Sequence, residues 1–338
     1  MTASTFPEPE VPTFSIVVPA YNEDSVLEAF HARLAATLDR LGETAEVIYI
    51  NDGSHDRTRP VLDRLQTRDP RVAVIDLSRN FGKEVALTAG LHHARGQAVI
   101  VIDADLQDPP ELIPELVAPW RERGVDVVYA QRIARAGESW LKRATAHLFY
   151  RLMQHVGRVH LPPDTGDYRL LSRRAVEALN QYPEQHRFMK GLFTWIGFEQ
   201  VAVRYERDPR FAGRTKWSYA KLVNLAIEGI TSFTSAPLRF ASILGLAIAG
   251  LAFVDALWII YKTLRYGDPV AGYPSLMTTI LFLGGVQLTA IGILGEYLGR
   301  VFDETKHRPL YHVKDYRPAR LGRVREPMVR DDGPAAGE

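Results

Sequence analysis

Two long apolar runs near the C-terminal end constrain the fold of this chain more than any other feature of its sequence. Residues 241–261 contain a single charged residue, Asp255, and residues 275–295 contain none. Each run is long enough to cross a hydrocarbon core of about 30 Å as an α-helix. Tryptophan and tyrosine residues near the ends of the runs are typical of membrane interfaces. The sequence therefore predicts a two-helix transmembrane hairpin with spans at about 240–263 and 275–298; two buried helices of a soluble protein are the alternative.

The basic residues that flank these runs predict how the hairpin is oriented. Lysine and arginine are frequent between residues 300 and 330, whereas the connecting segment 262–274 contains only Lys262 and Arg265. Because basic segments tend to stay in the cytoplasm, both ends of the chain are expected there. The first residues show no basic and apolar leader, which favours the same placement.

The segments on either side of the hairpin are also expected to meet the membrane surface. Residues 216–236 place apolar side chains on one helical face and predict an interfacial amphipathic helix, with a core helix of the preceding domain as the alternative. Residues 300–338 are strongly basic and are expected to form a cytoplasmic tail that lies on anionic lipid or on a neighbouring subunit.

Composition excludes several classes of function. The chain has 338 residues, a formal net charge of +1 and no cysteine. Disulfides, thiolate nucleophiles and zinc sites built on cysteine are therefore excluded. A net charge close to zero argues against a nucleic-acid partner that is bound by general phosphate neutralisation. The length is sufficient for about two domains, one of which must precede the apolar runs.

The first half of the chain alternates between apolar runs and amphipathic segments. The sequence predicts strands at 13–18, 47–50, 72–77, 98–102 and 125–129, and helices at about 27–41, 57–67, 83–94 and 110–122. This alternation is typical of an α/β domain with a mostly parallel sheet and helices on both faces. The first strand is expected to end at Pro19, because proline cannot continue a central strand.

Polar turns follow three of these predicted strands. They are residues 19–23 (PAYNE), 51–54 (NDGS) and 103–109 (DADLQDP), and the carboxyl ends of parallel strands are where ligands bind in such sheets. Asp103 and Asp105 repel each other unless a cation or donor groups compensate their charges. A hard divalent ion that also binds diphosphate oxygens would do so, with Gln107 as a further oxygen ligand. Two solvated turn acids are the alternative, and NDGS alone is only a turn.

Six motifs spread over about residues 13–300 carry a resemblance to a known family. They are VPAYNE, NDGS, SRNFGKE, IDADLQDPPE, TGDYRLLSR and GRTKWSYAKL. Together they resemble the polyprenyl-phosphate glycosyltransferases of glycosyltransferase family 2, which include dolichyl-phosphate mannose synthases and bactoprenol glucosyltransferases. The resemblance implies a GT-A fold, a nucleotide-sugar donor, Mg2+ or Mn2+, a polyprenyl phosphate acceptor in a bacterial inner membrane and a possible homotetramer. The expected division is an N-terminal tail (1–12), a cytoplasmic GT-A domain (13–215), the interfacial helix (216–236), the hairpin (237–299) and the basic tail (300–338).

The resemblance also implies roles for individual residues. Those expected to bind the donor are Pro19, Tyr21, Glu23, Ile50, Asp52, Lys83, Asp103, Ala104, Arg214 and Lys216. Those expected to act in catalysis are Asp103, Asp105, Asp167 and Lys216. Asp105 and Gln107 are expected to hold the metal, and Arg132 and Arg143 the acceptor phosphate. Asp52 is expected to hydrogen-bond the base edge, and Arg214 and Lys216 to lie on a flap over the diphosphate.

The reaction expected from this resemblance is an inverting transfer of a single sugar. The GESWLKR and DADLQDPPELIP stretches look most like bacterial glucosyltransferases that use UDP-glucose. GDP-mannose, UDP-N-acetylglucosamine and a 4-amino-arabinose donor remain open. A processive polysaccharide synthase and a catalytically silent membrane scaffold are two further functions that such a chain could have. Asp167 is expected to orient the sugar or the phosphate more than to act as a base, because the acceptor phosphate is already anionic.

Overall fold

The computed structural model describes residues 11–133, 165–205, 236–266 and 272–321. The strands are β1 (Phe14–Ala20), β2 (Ala45–Asn51), β3 (Val72–Leu77), β4 (Ala98–Val101), β5 (Val127–Arg132), β6 (Thr165–Ser172), β7 (Gln200–Tyr205) and β8 (Val313–Arg317). The helices are α1 (Leu27–Leu41), α2 (Thr58–Arg68), α3 (Lys83–His93), α4 (Ile113–Arg123), α5 (Arg173–Asn180), α6 (Met189–Trp195), α7 (Ala236–Tyr266) and α8 (Tyr273–Thr305). A short 3₁₀ turn, Pro110–Leu112, precedes α4.

The strands of the described residues form one mixed sheet in the order β7-β5-β6-β4-β1-β2-β3-β8. Strands β4, β1, β2 and β3 are parallel neighbours, and the helices that connect them confirm the predicted α/β alternation. The sheet is less parallel than expected, because β6 runs antiparallel to both β4 and β5 and β8 runs antiparallel to β3. The antiparallel direction of β6 brings its first residues to the carboxyl end of β4.

Both faces of the sheet are covered by apolar layers. One layer packs β1 side chains such as Ile16 and Val18 against α1, α2 and α4, and the other packs Val17 against α3, α5 and α6. Strands that are buried on both faces consist mostly of apolar residues, which is why they could be predicted from the sequence. Helix α3 lies unusually close to the sheet, since a Cβ on Gly90 would come within 2.3 Å of Val17 Cγ1. This contact fixes the helix whose first residue is Lys83.

The prediction that β1 ends at Pro19 is wrong. The strand continues to Ala20, and Pro19 lies in register with Ile50 of β2. The neighbour on the other side, β4, pairs only with residues Phe14–Val17. Pro19 therefore lies beyond the part of β1 that is hydrogen-bonded on both sides, where the missing N–H of proline costs no ladder bond.

The expectation that residues 300–338 form a tail apart from the catalytic domain is wrong for Val313–Arg317. This segment is β8, which completes the sheet as an antiparallel neighbour of β3. Arg59 on α2 joins the two strands, because its guanidinium lies 2.6 Å from carboxylate oxygens of both Asp76 and Asp315. The chain that leaves the second long helix thus returns to the sheet edge and covers it.

The two predicted spans are helices α7 and α8, which are longer than the sequence indicated. Within them, Phe240–Tyr266 and Phe282–Thr305 are long and apolar enough to cross a membrane. None of the residues in these two stretches whose side chains the structure describes is buried within the protein, as expected for helices that face lipid. Residues 216–235 of the predicted interfacial helix (216–236) lie outside the described residues.

Candidate active site

The turns that follow β1 and β2 are joined by hydrogen bonds at the carboxyl edge of the sheet. The backbone N–H of Asp52 donates to the carbonyl of Ala20 at 3.0 Å. The N–H of Asn22 donates to Ser54 Oγ at 3.0 Å, and Asn22 Oδ1 accepts from the N–H of His55 at 2.9 Å. The predicted convergence of the PAYNE and NDGS turns is confirmed by these contacts.

Asp52 connects this pair of turns to a third one. Its carboxylate oxygens accept hydrogen bonds from the N–H groups of Phe81 and Gly82 at 2.7 and 2.9 Å. Asp52 is only 3% exposed, and burial raises its pKa despite these two bonds. The carboxylate thus fixes the turn that leads into Lys83, while the base-edge contact expected for Asp52 stays a prediction.

Lys83 joins the carboxylates at the ends of β4 and β6. Its Nζ lies 2.7 Å from Asp103 Oδ2 and 2.5 Å from Asp167 Oδ2. The two acids are neighbours because β4 and β6 are antiparallel, with Val101 in register with Arg169. Asp103 lies two residues after Val101, and Asp167 lies two residues before Arg169. Because the strands are antiparallel, this register places the two aspartates side by side. The structure therefore brings together three of the residues predicted for the site.

The pKa values of Asp167, Asp103 and Lys83 do not all shift in the same direction. Burial opposes the ionisation of Asp167, but Lys83 and Lys190 outweigh it and the pKa of Asp167 is lowered. Burial, with a smaller contribution from Asp167, raises the pKa of Asp103. Burial likewise opposes the charge of Lys83, yet the two carboxylates raise its pKa. Asp167 is therefore firmly ionised, and its Oδ1 is buried without a hydrogen-bond partner among the described residues.

Two charged residues that the sequence analysis did not select support this cluster. Arg169 is 4% exposed, stacks 3.8 Å from the centre of the Phe193 ring and donates to the Gly166 carbonyl at 2.8 Å. Glu84, next to Lys83, accepts a hydrogen bond from the N–H of Met189 at 3.0 Å. Burial, reinforced by the nearby charge of Asp167, raises the pKa of Glu84 to about 7. Both residues lie within quoted motifs, SRNFGKE and TGDYRLLSR, but the motifs do not reveal these interactions, because the interactions depend on tertiary packing.

The residues predicted to hold a metal lie beside the cluster. Asp105 is half-buried, and its Oδ1 accepts from the N–H of Gln107 at 3.1 Å. Gln107 is 5% exposed, and its Nε2 has no hydrogen-bond partner among the described residues. No group of three or more acidic or histidine side chains that could hold a metal occurs in the part of the chain that the structure describes. These few oxygen donors fit a hard cation that takes most of its ligands from substrate phosphates and water.

The remaining predicted site residues have different surroundings. Tyr21 is 37% exposed and its ring meets that of His55 edge-on, whereas Ile50 and Ala104 are buried and could meet a donor only through the backbone. Pro19, near the end of β1, and Glu23, in the turn that follows it, are half-buried. Arg132 lies at the end of β5, close to Gly166. The predicted site residues Arg143, Arg214 and Lys216 lie outside the described residues.

Two family models match separate parts of the chain. Residues 15–179 match the model of glycosyl transferase family 2. Residues 236–301 match a second model, described as the GtrB C-terminal hairpin, which covers α7 and most of α8. Together with the mixed α/β sheet, these matches confirm the predicted GT-A class of fold and the predicted resemblance.

Curated relatives match nearly the whole chain. An uncharacterized glycosyltransferase of Synechocystis sp. is 52% identical over 301 residues, which cover 89% of this chain and 94% of the relative. The bactoprenol glucosyl transferase of Shigella phage SfV is 46% identical over 301 residues, with coverage of 89% and 98%. A prophage bactoprenol glucosyl transferase homolog of Escherichia coli K12 is 45% identical over 300 residues, again covering 89% and 98%.

A more distant match comes from the solved structures. Glucosyl-3-phosphoglycerate synthase of Mycobacterium tuberculosis, in complex with Mn2+, UDP-glucose and phosphoglyceric acid, is 22% identical, and the match covers 65% of this chain and 78% of that one. The TM-score is 0.47.

Proposed function

The chain belongs to glycosyltransferase family 2, and we propose that it transfers one glucosyl unit from UDP-glucose to a polyprenyl phosphate at the cytoplasmic face of the membrane. The observation that carries this proposal is the 46% identity with a bactoprenol glucosyl transferase over 89% of the chain. The match includes the hairpin as well as the catalytic domain. A chain with both parts can meet a soluble nucleotide sugar and a lipid acceptor at one surface.

The proposed reaction needs no proton transfer to start. An oxygen of the acceptor phosphate forms a bond to the anomeric carbon, while the bond from that carbon to the diphosphate breaks and UDP leaves with the electron pair. The acceptor phosphate is anionic near neutral pH, so a strong general base is unnecessary. A single displacement of this kind inverts the configuration at the anomeric carbon.

The state of Asp167 supports this route. Its lowered pKa makes it a weak base but a permanent hydrogen-bond acceptor at neutral pH. The buried Oδ1 has no partner among the described residues, and unsatisfied buried acceptors are uncommon unless a ligand completes them. We assign this oxygen to a hydroxyl of the donor sugar. Lys83 holds Oδ2 at 2.5 Å and so fixes the direction of the free oxygen.

Asp105 and Gln107 would hold a divalent cation, Mg2+ or Mn2+. When bound, the cation would neutralise charge that develops on the departing diphosphate. Asp103 Oδ2 accepts a hydrogen bond from Lys83 Nζ at 2.7 Å, and we assign Asp103 to the donor ribose or sugar. Asp105 is half-buried, so its side chain remains partly accessible to solvent.

Basic residues complete the proposed site. Arg132 and Arg143 are assigned to the acceptor phosphate, and Arg214 and Lys216 to a flap over the donor diphosphate. Cations that meet a leaving diphosphate lower the barrier because they stabilise charge where it grows. With both ends of the chain in the cytoplasm, the hairpin would place this site against lipid headgroups.

The identity of the donor sugar is the most specific part of the proposal. Discrimination between donors can depend on a single hydroxyl contact, so GDP-mannose, UDP-N-acetylglucosamine and a 4-amino-arabinose donor belong in the test. Purified protein with Mn2+ is heated with each donor, and the donor that binds the native state raises the melting temperature. We expect UDP-glucose to give the largest rise; a larger rise with another donor would reassign the sugar.

Transfer itself is tested in membranes that contain the protein, with radiolabelled UDP-glucose, added undecaprenyl phosphate and Mg2+ or Mn2+. We expect label in the lipid extract from the wild type and almost none from Asp105→Asn. Asparagine removes the charge but keeps the oxygen that accepts from Gln107 N–H. Glu122→Ala, an exposed site on α4, serves as the control. Unlabelled lipid with the wild type would overturn the function, and full activity of Asp105→Asn would overturn the metal assignment.

A further inference from the structure

A buried hydrogen-bond chain links Arg132 to Tyr205, which lies outside the quoted motifs, and to Asp108, a motif residue to which the proposed chemistry gives no role. The Arg132 Nε donates to the Tyr205 hydroxyl at 3.2 Å, and that hydroxyl donates to Asp108 Oδ1. The Arg132 Nη2 also lies 3.5 Å from the same carboxylate oxygen. The Asp108 side chain is 1% exposed and Tyr205 is 6% exposed, whereas the Arg132 side chain retains 28% exposure.

Gly166 lies against the Arg132 Nη2 that also approaches Asp108. A Cβ placed on Gly166 would lie 2.8 Å from this nitrogen and 3.8 Å from Asp108 Oδ2, so a larger residue would force the guanidinium to shift. The pairing of β5 with β6 shifts register between Tyr129 and Gln131, just before Arg132. Such irregularities re-aim the side chains at the end of a strand. Arg132 is therefore directed across Gly166, the residue next to Asp167.

We propose that Asp108 and Tyr205 are positioning residues that hold the Arg132 guanidinium ready for the acceptor phosphate. This inference rests on the proposed function, since it assigns Arg132 to that phosphate. The Tyr205 hydroxyl and the Asp108 carboxylate together fix the guanidinium plane, because Nε donates to the hydroxyl and Nη2 lies 3.5 Å from the carboxylate oxygen. Arg132 thereby keeps donors for a phosphate, because Nη1 has no partner among the described residues. A preorganised cation binds an anion without the entropic cost of ordering a free side chain.

The burial of Asp108 explains why this side chain holds Arg132 in place. Asp108 is fully buried, and a buried carboxylate requires partners to compensate its lost hydration. Tyr205 and Arg132 supply them in the described residues, so the carboxylate and the guanidinium constrain each other. The neighbouring Tyr168 provides a matched contrast: its ring meets that of Tyr205 edge-on at 6.4 Å, but its hydroxyl donates to the carbonyl of Pro109.

The test compares two hydroxyl deletions in the full-length protein, purified in lipid nanodiscs. For Tyr205→Phe we expect the KM for undecaprenyl phosphate to rise about tenfold, because the lost hydrogen bond involves a charged group, while the KM for UDP-glucose stays within twofold. Tyr168→Phe loses a buried hydrogen bond of the same kind without touching Arg132, and its acceptor KM should not change. In an Arg132→Ala background, Tyr205→Phe should have no further effect on the acceptor KM.

A second variant, Gly166→Ala, acts on the guanidinium without changing the Tyr205 or Asp108 side chains themselves. The new Cβ would lie 2.8 Å from Arg132 Nη2, so the flexible end of Arg132 has to move, whereas the 3.8 Å distance to Asp108 Oδ2 is an ordinary contact. It should reproduce the selective rise in acceptor KM. The positioning role would be overturned if Tyr205→Phe and Tyr168→Phe changed the acceptor KM equally. It would also be overturned if Tyr205→Phe raised the acceptor KM as much in the Arg132→Ala background as in the wild type. In both cases a wild type that transfers glucose to the lipid would still support the proposed function. A wild type that transfers no sugar to the lipid would overturn both.

Discussion

The bridge from Lys83 to Asp103 and Asp167 makes a quantitative prediction for Lys83→Met. Methionine fills a similar volume but removes hydrogen bonds of 2.7 and 2.5 Å to two carboxylates. A hydrogen bond to a charged group contributes about 1.5–3 kcal/mol. Because the Lys83 side chain is 42% exposed and therefore screened, we take about 3 kcal/mol for both bonds together. This corresponds to a loss of about 100-fold in kcat/KM.

The mechanism behind that loss is tested by combining Lys83→Met with Asp167→Asn. If Lys83 acts by orienting and ionising Asp167, the two substitutions remove one interaction, and the double variant should be at least about tenfold more active than the product of the single effects predicts. Lys190→Met is the control, because Lys190 affects Asp167 only through its charge. It should cost far less activity than Lys83→Met.

The pH dependence of Lys83→Met provides a second measurement of the same interaction. Lys83 lowers the pKa of Asp167, so its removal should raise that pKa and move the acid limb of kcat/KM to higher pH. Strictly multiplicative effects in the double variant, together with an unchanged acid limb, would refute the reasoning. Lys83 would then act on the donor independently of Asp167.

Three further predictions concern stability and are measured as melting temperatures in detergent. Gly90→Ala should destabilise the protein by about 1–3 kcal/mol, because the new Cβ would lie 2.3 Å from Val17 Cγ1; an unchanged melting temperature would contradict this. Burial raises the pKa of Glu84 from 4.5 to about 7, so its contribution to stability is complete below pH 4.5 and is lost as the pH rises through 7. Glu84→Gln should therefore flatten the decline in melting temperature over that interval, and an identical decline would argue against it. Deletion of residues 313–338 removes β8 and bares the edge of β3, which should lower the melting temperature; a deletion variant as stable as the full chain would show that β8 contributes nothing.

The parts of the fold that the sequence predicted are those with a strong local pattern. Strands β1 to β4 are buried on both faces and appear as mostly apolar runs, and α7 and α8 are recognisable from length and apolarity alone. Strand β8 was missed because VKDYR, at an exposed sheet edge, has no apolar periodicity. Strand β6 was noticed only as the motif TGDYRLLS, since its pairing with β4 depends on contacts distant in sequence.

The candidate site shows the same division. Asp103, Asp105 and Gln107 were found because polar residues follow a buried strand, and Asp167 because its motif resembles a family pattern. The shared contact of Lys83 with two aspartates could not be predicted, since one of them is 84 residues away. Asp108 was part of a recognised motif, but its partner Tyr205 lies 97 residues further along the chain. Local patterns reveal which residues are present at strand ends; only the folded sheet determines which of them meet.

The central claim is that one sugar passes from a nucleotide to a lipid phosphate, and mass analysis of the lipid tests it most directly. Purified protein in nanodiscs is incubated with UDP-glucose, Mg2+ or Mn2+ and undecaprenyl phosphate, and the lipid and released UDP are both quantified. We predict a lipid product heavier by a single hexose and one UDP released for each lipid converted. UDP release with unmodified lipid, or a ladder of several hexoses on one lipid, would contradict the account.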